Sequence, residues 1–367
     1  MNGPTLSRMT RRAEGNCPET CTEEKTHSNL PPGSQARSLG NQSHSCQYRR
    51  RFSPTLFFRL VACAVLIGLT APWLAATENS GSVYPIGAET VMPGITPAPG
   101  QTVFAEFNTT YNANSFLDGQ GHNAVPGFKL FAFAFAPKIT HNWGVHVLGG
   151  TLVSWVATPV AYQWMRTPSR AYSTSGFSNP VLGLADIAYN RGNWHWWYGF
   201  DLMTPAPVYH KDGPINIGQH NFATTPSGAF TYLPHGGRTE ISSRFQYIVN
   251  YRNAITQYRS GNEFLWEYVA MQNVTKKLGI GVNGYFYQQT TDDRLGGVIY
   301  ADGNRGRDLA IGPEVRYQLG HMVLIAKYFR DTLVQYRPSG NAFWMEFAVP
   351  LTRGRAKLEA ERRCQAN

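Results

Sequence analysis

Between Cys63 and Cys364 the chain has no cysteine. That stretch can hold no thiolate nucleophile, no disulfide and no cysteine-ligated metal, and it suits folding in an oxidising compartment. Charge is scarce as well: Asp, Glu, Lys and Arg make up 15% of the residues, fewer than soluble helical enzymes usually carry. The apolar run from Leu60 to Leu74 stops short of the roughly 20 residues that a spanning helix needs. Mean hydropathy is slightly negative, which argues against a bundle of membrane helices. Catalytic signatures are missing too. There is no Gly-x-Ser-x-Gly elbow and no His-Glu-x-x-His, and His210, His220 and His235 fall on loops or turns without forming a His-x-x-x-His pair. The expectation is a chain that is not an enzyme and carries no cofactor and no metal.

Aromatic residues reach 13%, with 36 Gly and 23 Pro. A chain this aromatic is not disordered throughout. The formal charge of +10 is concentrated at the ends. Residues 1–76 hold nine Lys or Arg against four Glu, and the chain from Leu351 onward holds five against two. The body between is nearly balanced and has no basic stripe, so no nucleic-acid partner is expected.

Arg49, Arg50, Arg51 and Arg59 precede Leu60–Leu74, and Ala75-Ala76 follows. Basic, apolar, then small is the layout of a secretory signal peptide, placed at 49–76. Residues 1–48 are polar and aperiodic, and are expected to be a disordered extension or a mis-assigned start. Two sharper readings are disfavoured. A metal knuckle from Cys17, Cys21, His27, His44 and Cys46 lacks regular spacing. A lipobox at Leu60-Val61-Ala62-Cys63 should close the apolar segment, which instead continues.

From Val103 the residues alternate with period two, the signature of half-buried strands. Phe131, Phe133 and Phe135 alternate with Ala132, Ala134 and Ala136; Ile241, Phe245, Tyr247 and Val249 oppose Glu240, Ser242, Arg244 and Gln246. About twelve such runs reach Leu351. Short turns are expected at 137–142, 191–193, 234–237, 273–277 and 319–321. Longer connections are expected at 113–126, 154–182, 205–221 and 291–307. Short turns at one end and long loops at the other is the outer-membrane barrel rule. The fold expected is all-β: a single antiparallel transmembrane β-barrel over 103–351, both termini periplasmic, with a tail at 352–367. Backbone groups in hydrocarbon must all be paired, so the first strand must close on the last. Residues 77–102, rich in Pro and Gly, are expected to be a periplasmic leader or a plug in the lumen.

Several stretches carry a resemblance. They include Tyr84-Pro85-Ile86-Gly87-Ala88-Glu89, Met92-Pro93-Gly94, Pro126-Gly127-Phe128-Lys129 and Gly183-Leu184-Ala185-Asp186. Tyr258-Arg259-Ser260-Gly261-Asn262-Glu263-Phe264 and Gln288-Gln289-Thr290-Thr291-Asp292-Asp293 are others. Over roughly 82–351 the chain resembles the outer-membrane proteins of the "MetA-pathway of phenol degradation" family. The resemblance implies an outer-membrane barrel associated with uptake of aromatic or other apolar compounds. Its partners would be outer-membrane lipid, small apolar or aromatic solutes and the barrel-assembly machinery. Two features depart from the family: Thr204-Pro205-Ala206-Pro207 replaces a Pro-Thr-Gly turn, and sixteen residues follow Leu351.

Alternation assigns nine charged residues to the lumen: Glu106, Glu240, Arg244, Glu263, Glu267, Glu314, Arg316, Lys327 and Glu346. Either they line a pore and position a polar group of a solute, or they form an ion-pair network that rigidifies the interior. Trp194, Trp196, Trp197 and Tyr198 are expected in an interfacial aromatic girdle. The function expected is a passive or gated channel for small apolar or aromatic compounds. The alternative is a structural or surface-presenting barrel that binds a partner through its outer loops.

Overall fold

The computed structural model describes Glu78 and residues 81–354. The signal peptide, the extension before it, the cysteine–histidine group and all but the start of the tail lie outside the described residues. Fourteen strands build one sheet. They are β1 (Thr102–Phe116), β2 (Lys129–Val147), β3 (Gly150–Ala157), β4 (Val160–Arg166), β5 (Ala171–Phe177), β6 (Val181–Arg191) and β7 (Trp194–Met203). The others are β8 (Ala223–Tyr232), β9 (Thr239–Asn250), β10 (Glu263–Asn273), β11 (Leu278–Gln289), β12 (Arg307–Leu319), β13 (Met322–Gln335) and β14 (Pro338–Pro350). Each pairing is antiparallel, and β1 pairs with both β2 and β14: Val103 lies opposite Thr140 on one side and Pro350 on the other. The sheet therefore closes, as backbone pairing in hydrocarbon requires. No helix among the described residues is long and apolar enough to cross a membrane.

β3 and β4 run one after the other along β2, and β5 and β6 return along them. Each pair occupies one position in the wall, which makes it twelve strands round. The stretch 154–182 is thus an extended hairpin, where the sequence suggested a loop. The expected turn at 137–142 is also absent: β2 continues to Val147, and the chain reverses at Leu148-Gly149. Both residues have positive φ, 51° and 80°, as a two-residue type I′ turn requires. Pro137 misled the sequence reading because proline cannot donate to a sheet ladder. It is accommodated opposite the β3–β4 interruption at Thr158-Pro159, where the Thr158 N–H donates to the Pro137 carbonyl at 3.3 Å.

Outward positions are apolar over most of the wall, with Phe133, Phe245, Ile280, Ile311 and Met345 all exposed. The buried apolar cluster lies inside the barrel, where Val83, Tyr84 and Ala88 pack among Trp155, Leu265, Tyr287, Phe329 and Trp344. Val83, Tyr84 and Ala88 precede β1. Glu78 sits among the long connections, beside Tyr209, Asn253 and Ser260, while β1 begins at the short-turn end. The two ends of the wall lie side by side at the short-turn end, Val103 opposite Pro350, as expected of the barrel, whereas Glu78, ahead of the wall, is at the loop end. The segment from 81 to 101 runs the length of the lumen.

Candidate functional site: the occupied lumen

The segment is gripped along its whole course. At the loop end, Asn253 Nδ2 donates to both carboxylate oxygens of Glu78 at 3.1 and 3.0 Å, and the Tyr209 hydroxyl donates to the same carboxylate. Ser82 Oγ donates to Glu263 at 2.5 Å. Midway, Arg244 donates to the Tyr84 hydroxyl at 2.6 Å and forms an ion pair with Glu89, which Lys138 also binds. The Glu89 N–H donates to Glu267 at 3.3 Å, and Lys327 donates to the Ala88 carbonyl at 2.8 Å. Further down, Thr90 donates to Glu314 at 3.2 Å and the Met92 N–H to Glu240 at 2.8 Å. Near the short turns, Trp197 Nε1 donates to the Pro93 carbonyl at 2.6 Å and Asn142 Nδ2 to the Pro97 carbonyl at 2.8 Å. Glycine is required at 94, where a Cβ would collide with the backbone of Thr231, Phe230 and His195.

Eight of the nine charged residues assigned to the lumen face it. Glu240, Glu263, Glu267 and Glu314 accept from the segment, and Arg244 and Lys327 donate to it. Arg316 and Glu346 stand one step back, paired with Glu240 and Lys327 respectively. Glu106 faces the other way. Its β1 neighbours Phe107 and Tyr111 pack against the interior cluster, so alternation turns Glu106 outward. Of the tryptophans expected in the girdle, Trp194 and Trp196 stack with Tyr232 and Tyr189 on the outer surface, but Trp197 points inward to Pro93.

Glu89, Lys138, Asp186 and Asp201 escaped the sequence reading. Lys138 was lost with the supposed turn at 137–142, although it continues the Ala132, Ala134, Ala136 face. Glu89 lies outside any strand, so periodicity says nothing about it. Burial alone would raise its carboxyl pKa, but Arg244 and Lys138 outweigh burial and hold it down at about 2. Tyr84 is shifted the other way, burial keeping its phenol protonated. Asp201 provides Arg244 with a second carboxylate at 3.4 Å. The Arg244 side chain is fully buried, and a buried charge must be paired in this way to be tolerated.

Two chambers remain around the segment. One of about 330 Å³ at the short-turn end is lined by Ile95, Pro97, Val103, Thr140 and Val323. One of about 270 Å³ at the loop end is lined by Tyr84, Tyr111, Tyr285, Arg337 and Trp344. Between them lies a space of about 30 Å³ bounded by Tyr84, Ala88, Phe107 and Trp155. A cavity of roughly 150 Å³ accepts a benzene ring, whereas about 30 Å³ is one water's share of the liquid. Each chamber can hold a ring; the throat cannot. Among the described residues no group of three or more His, Cys, Asp or Glu side chains is placed to hold a metal ion.

The profile of a family described as "Putative MetA-pathway of phenol degradation" matches residues 113–347. Among solved structures, the COG4313 outer membrane channel from Pseudomonas putida F1 aligns with a TM-score of 0.62 at 15% identity, over 70% of this chain and 97% of that one. The NanC porin aligns at 0.37 and 10% identity, over 67% and 98%. A Pseudomonas aeruginosa FadL homologue aligns at 0.34 and 9%, over 73% and 95%. The first supports the fold; the other two are too distant to add to it. No curated protein matches the chain.

Proposed function

The chain belongs to the family described as putative MetA-pathway of phenol degradation, and on that footing we propose an outer-membrane channel for small apolar or aromatic compounds, closed at rest by residues 81–97. The observation that carries this reading is the pair of ring-sized chambers at opposite ends of the lumen, parted by a throat that the segment fills. The loop-end chamber offers Tyr84, Tyr111, Tyr285 and Trp344, flat apolar faces on which an aromatic solute can lie. Movement would be passive, with selectivity set by the lining. In this reading the chain is not an enzyme, and its buried charges serve to hold or release the segment. Its partners are outer-membrane lipid and the solute, with the barrel-assembly machinery needed for insertion.

The filled lumen equally suits a barrel that presents its loops to a partner and conducts nothing. Proteoliposome swelling separates the two. Wild-type protein and Arg244→Ala, in which the grip on Glu89 is weakened, are assayed with phenol, a short fatty acid and a sugar. The channel reading expects Arg244→Ala to admit phenol and the fatty acid faster than the sugar, and faster than wild type does. Exclusion of all three solutes by both proteins would favour the presenting barrel.

A further inference from the structure

At the loop end of the wall, the outward face of β2 and β4 changes character within one pleat. Along it Phe135 lies opposite Val160, Phe133 opposite Tyr162 and Phe131 opposite Trp164. The next outward pair is Lys129 opposite Arg166, both exposed. Trp143 lies on the same face near the other end of β2, and is exposed as well. Between Trp143 and Phe131 the strand climbs about 30 Å, at ~3.3 Å per residue and a tilt of about 40°. An apolar band about 25 Å tall fits between them, so the two belong to the aromatic girdles at its edges. Lys129 and Arg166 therefore stand just beyond the outer girdle, at the level of the lipid headgroups.

Like charges directly opposite each other on neighbouring strands repel and weaken the pairing. A third cation joins these two. The Thr167 N–H donates to the Arg170 carbonyl at 2.8 Å and closes the turn between β4 and β5. Arg170 is thereby brought back beside Arg166, next to Ala171, which lies opposite Arg166. Between residues 119 and 200 the only carboxylate is Asp186, and it is buried in the barrel, where Trp155 donates to it. Asp118, in the loop between β1 and β2, binds within that loop, accepting from the Gln120 and His122 N–H groups at 2.8 and 2.9 Å. None of Lys129, Arg166 and Arg170 is in an ion pair among the described residues. The anion that would relieve their repulsion comes from outside the chain.

We propose that Lys129, Arg166 and Arg170 bind a phosphate group of an outer-leaflet lipid, whose acyl chains lie along Phe131, Phe133, Tyr162 and Trp164. A phosphate monoester carries between one and two negative charges at neutral pH. Its oxygens accept from a guanidinium fork two at a time, and an ammonium adds a point charge. Seated between Lys129 and Arg166, the phosphate turns their repulsion into a bridge. Basic clusters at headgroup level recognise anionic lipid heads in this way. The charge of the cluster calls for an anion. The aromatic face that continues from it into the apolar band calls for an anion attached to acyl chains, since a free ion would leave that face unused. The Phe131 and Tyr162 rings, 6.5 Å apart and tilted to each other, form the upper part of that face. The inference rests on the membrane placement of the wall and is independent of what passes through the lumen.

Full-length protein is folded into maltoside micelles doped with lipid A or with enzymatically dephosphorylated lipid A, and bound lipid is counted by native mass spectrometry. Wild type is compared with a Lys129→Gln, Arg166→Gln variant. A Lys276→Gln, Lys277→Gln variant serves as control, losing two exposed cations at the short-turn end. The proposal expects wild type and the control to retain lipid A, and the Lys129→Gln, Arg166→Gln variant to retain roughly tenfold less. The dephosphorylated lipid should bind weakly and equally to all three. Urea unfolding supplies a reading that a merely structural role would not give. Without lipid A the Lys129→Gln, Arg166→Gln variant should be no less stable than wild type, and adding lipid A should raise the midpoint of wild type and the control but not of that variant. Equal retention of lipid A by all three proteins overturns the proposal. Displacement of lipid A from wild type by inorganic phosphate overturns the lipid as occupant and leaves a site for a free anion.

Discussion

β1 and β9 stand on opposite sides of the barrel and distribute their polar residues in opposite ways. β9 turns Glu240, Ser242, Arg244 and Gln246 inward and Ile241 and Phe245 outward. β1 turns Phe107 and Tyr111 inward and Glu106, Asn108 and Thr110 outward. Both strands have a clean period of two. The difference teaches that alternation says which residues share a face, while closure of the barrel says which face is inside. β9 meets the lumen segment with charge, through Arg244 and Glu240. β1 meets it with apolar surface, Phe107 bounding the throat beside Tyr84.

The largest effect expected is on the β9 side. Arg244→Ala would leave Glu89 and Asp201 without their shared cation, and removing one member of a buried pair costs about 3–5 kcal/mol. Urea unfolding followed by gel mobility should show that loss; a variant as stable as wild type would mean that the grip is not energetically coupled to the wall.

Glu89 gives the same contact a pH signature. Its carboxyl pKa is depressed to about 2 in the folded state, against about 4.3 in an unfolded chain. A depressed acid stabilises the folded state above the unfolded pKa, and that stabilisation is lost as pH falls through the folded value. Hydrogen exchange over residues 83–94 should therefore be faster in Glu89→Gln than in wild type at pH 7 and still at pH 5, with the gap closing toward pH 2. A gap already closed at pH 5 would place the anchor elsewhere.

Two substitutions compare the outer faces directly. Phe245→Lys puts a cation on the lipid-facing side of β9 and should cost about 2–4 kcal/mol in unfolding from lipid. Glu106→Gln keeps shape and hydrogen-bonding capacity on β1, and should change stability by about 1 kcal/mol or less. A large gain in stability from Glu106→Gln would instead mark the carboxylate as exposed to hydrocarbon.

From β7 onward the strands were legible in the sequence, because Trp194–Met203, Thr239–Asn250 and Glu263–Asn273 alternate and are separated by short turns or polar loops. Between β2 and β6 the pattern was misleading: Pro137 resembles a turn, and only its position opposite Thr158-Pro159 makes it tolerable within a strand. Eight of the nine lumen charges were likewise legible, since on β9, β10, β12, β13 and β14 the polar face is also the inner one. Their function was not. Glu89 is 155 residues from Arg244, and no local spacing links a residue in a proline-rich leader to a strand so far along the chain. Glu106 was misassigned because its strand breaks the association of polar with inward.

Single-channel recording in planar bilayers addresses the closed channel most directly. Wild-type protein is compared with a variant whose residues 83–94 are replaced by a glycine–serine stretch of equal length, leaving every wall strand intact. Closure by the segment predicts little or no steady conductance from wild type and discrete open steps from the variant. Equal conductance from the two would contradict it.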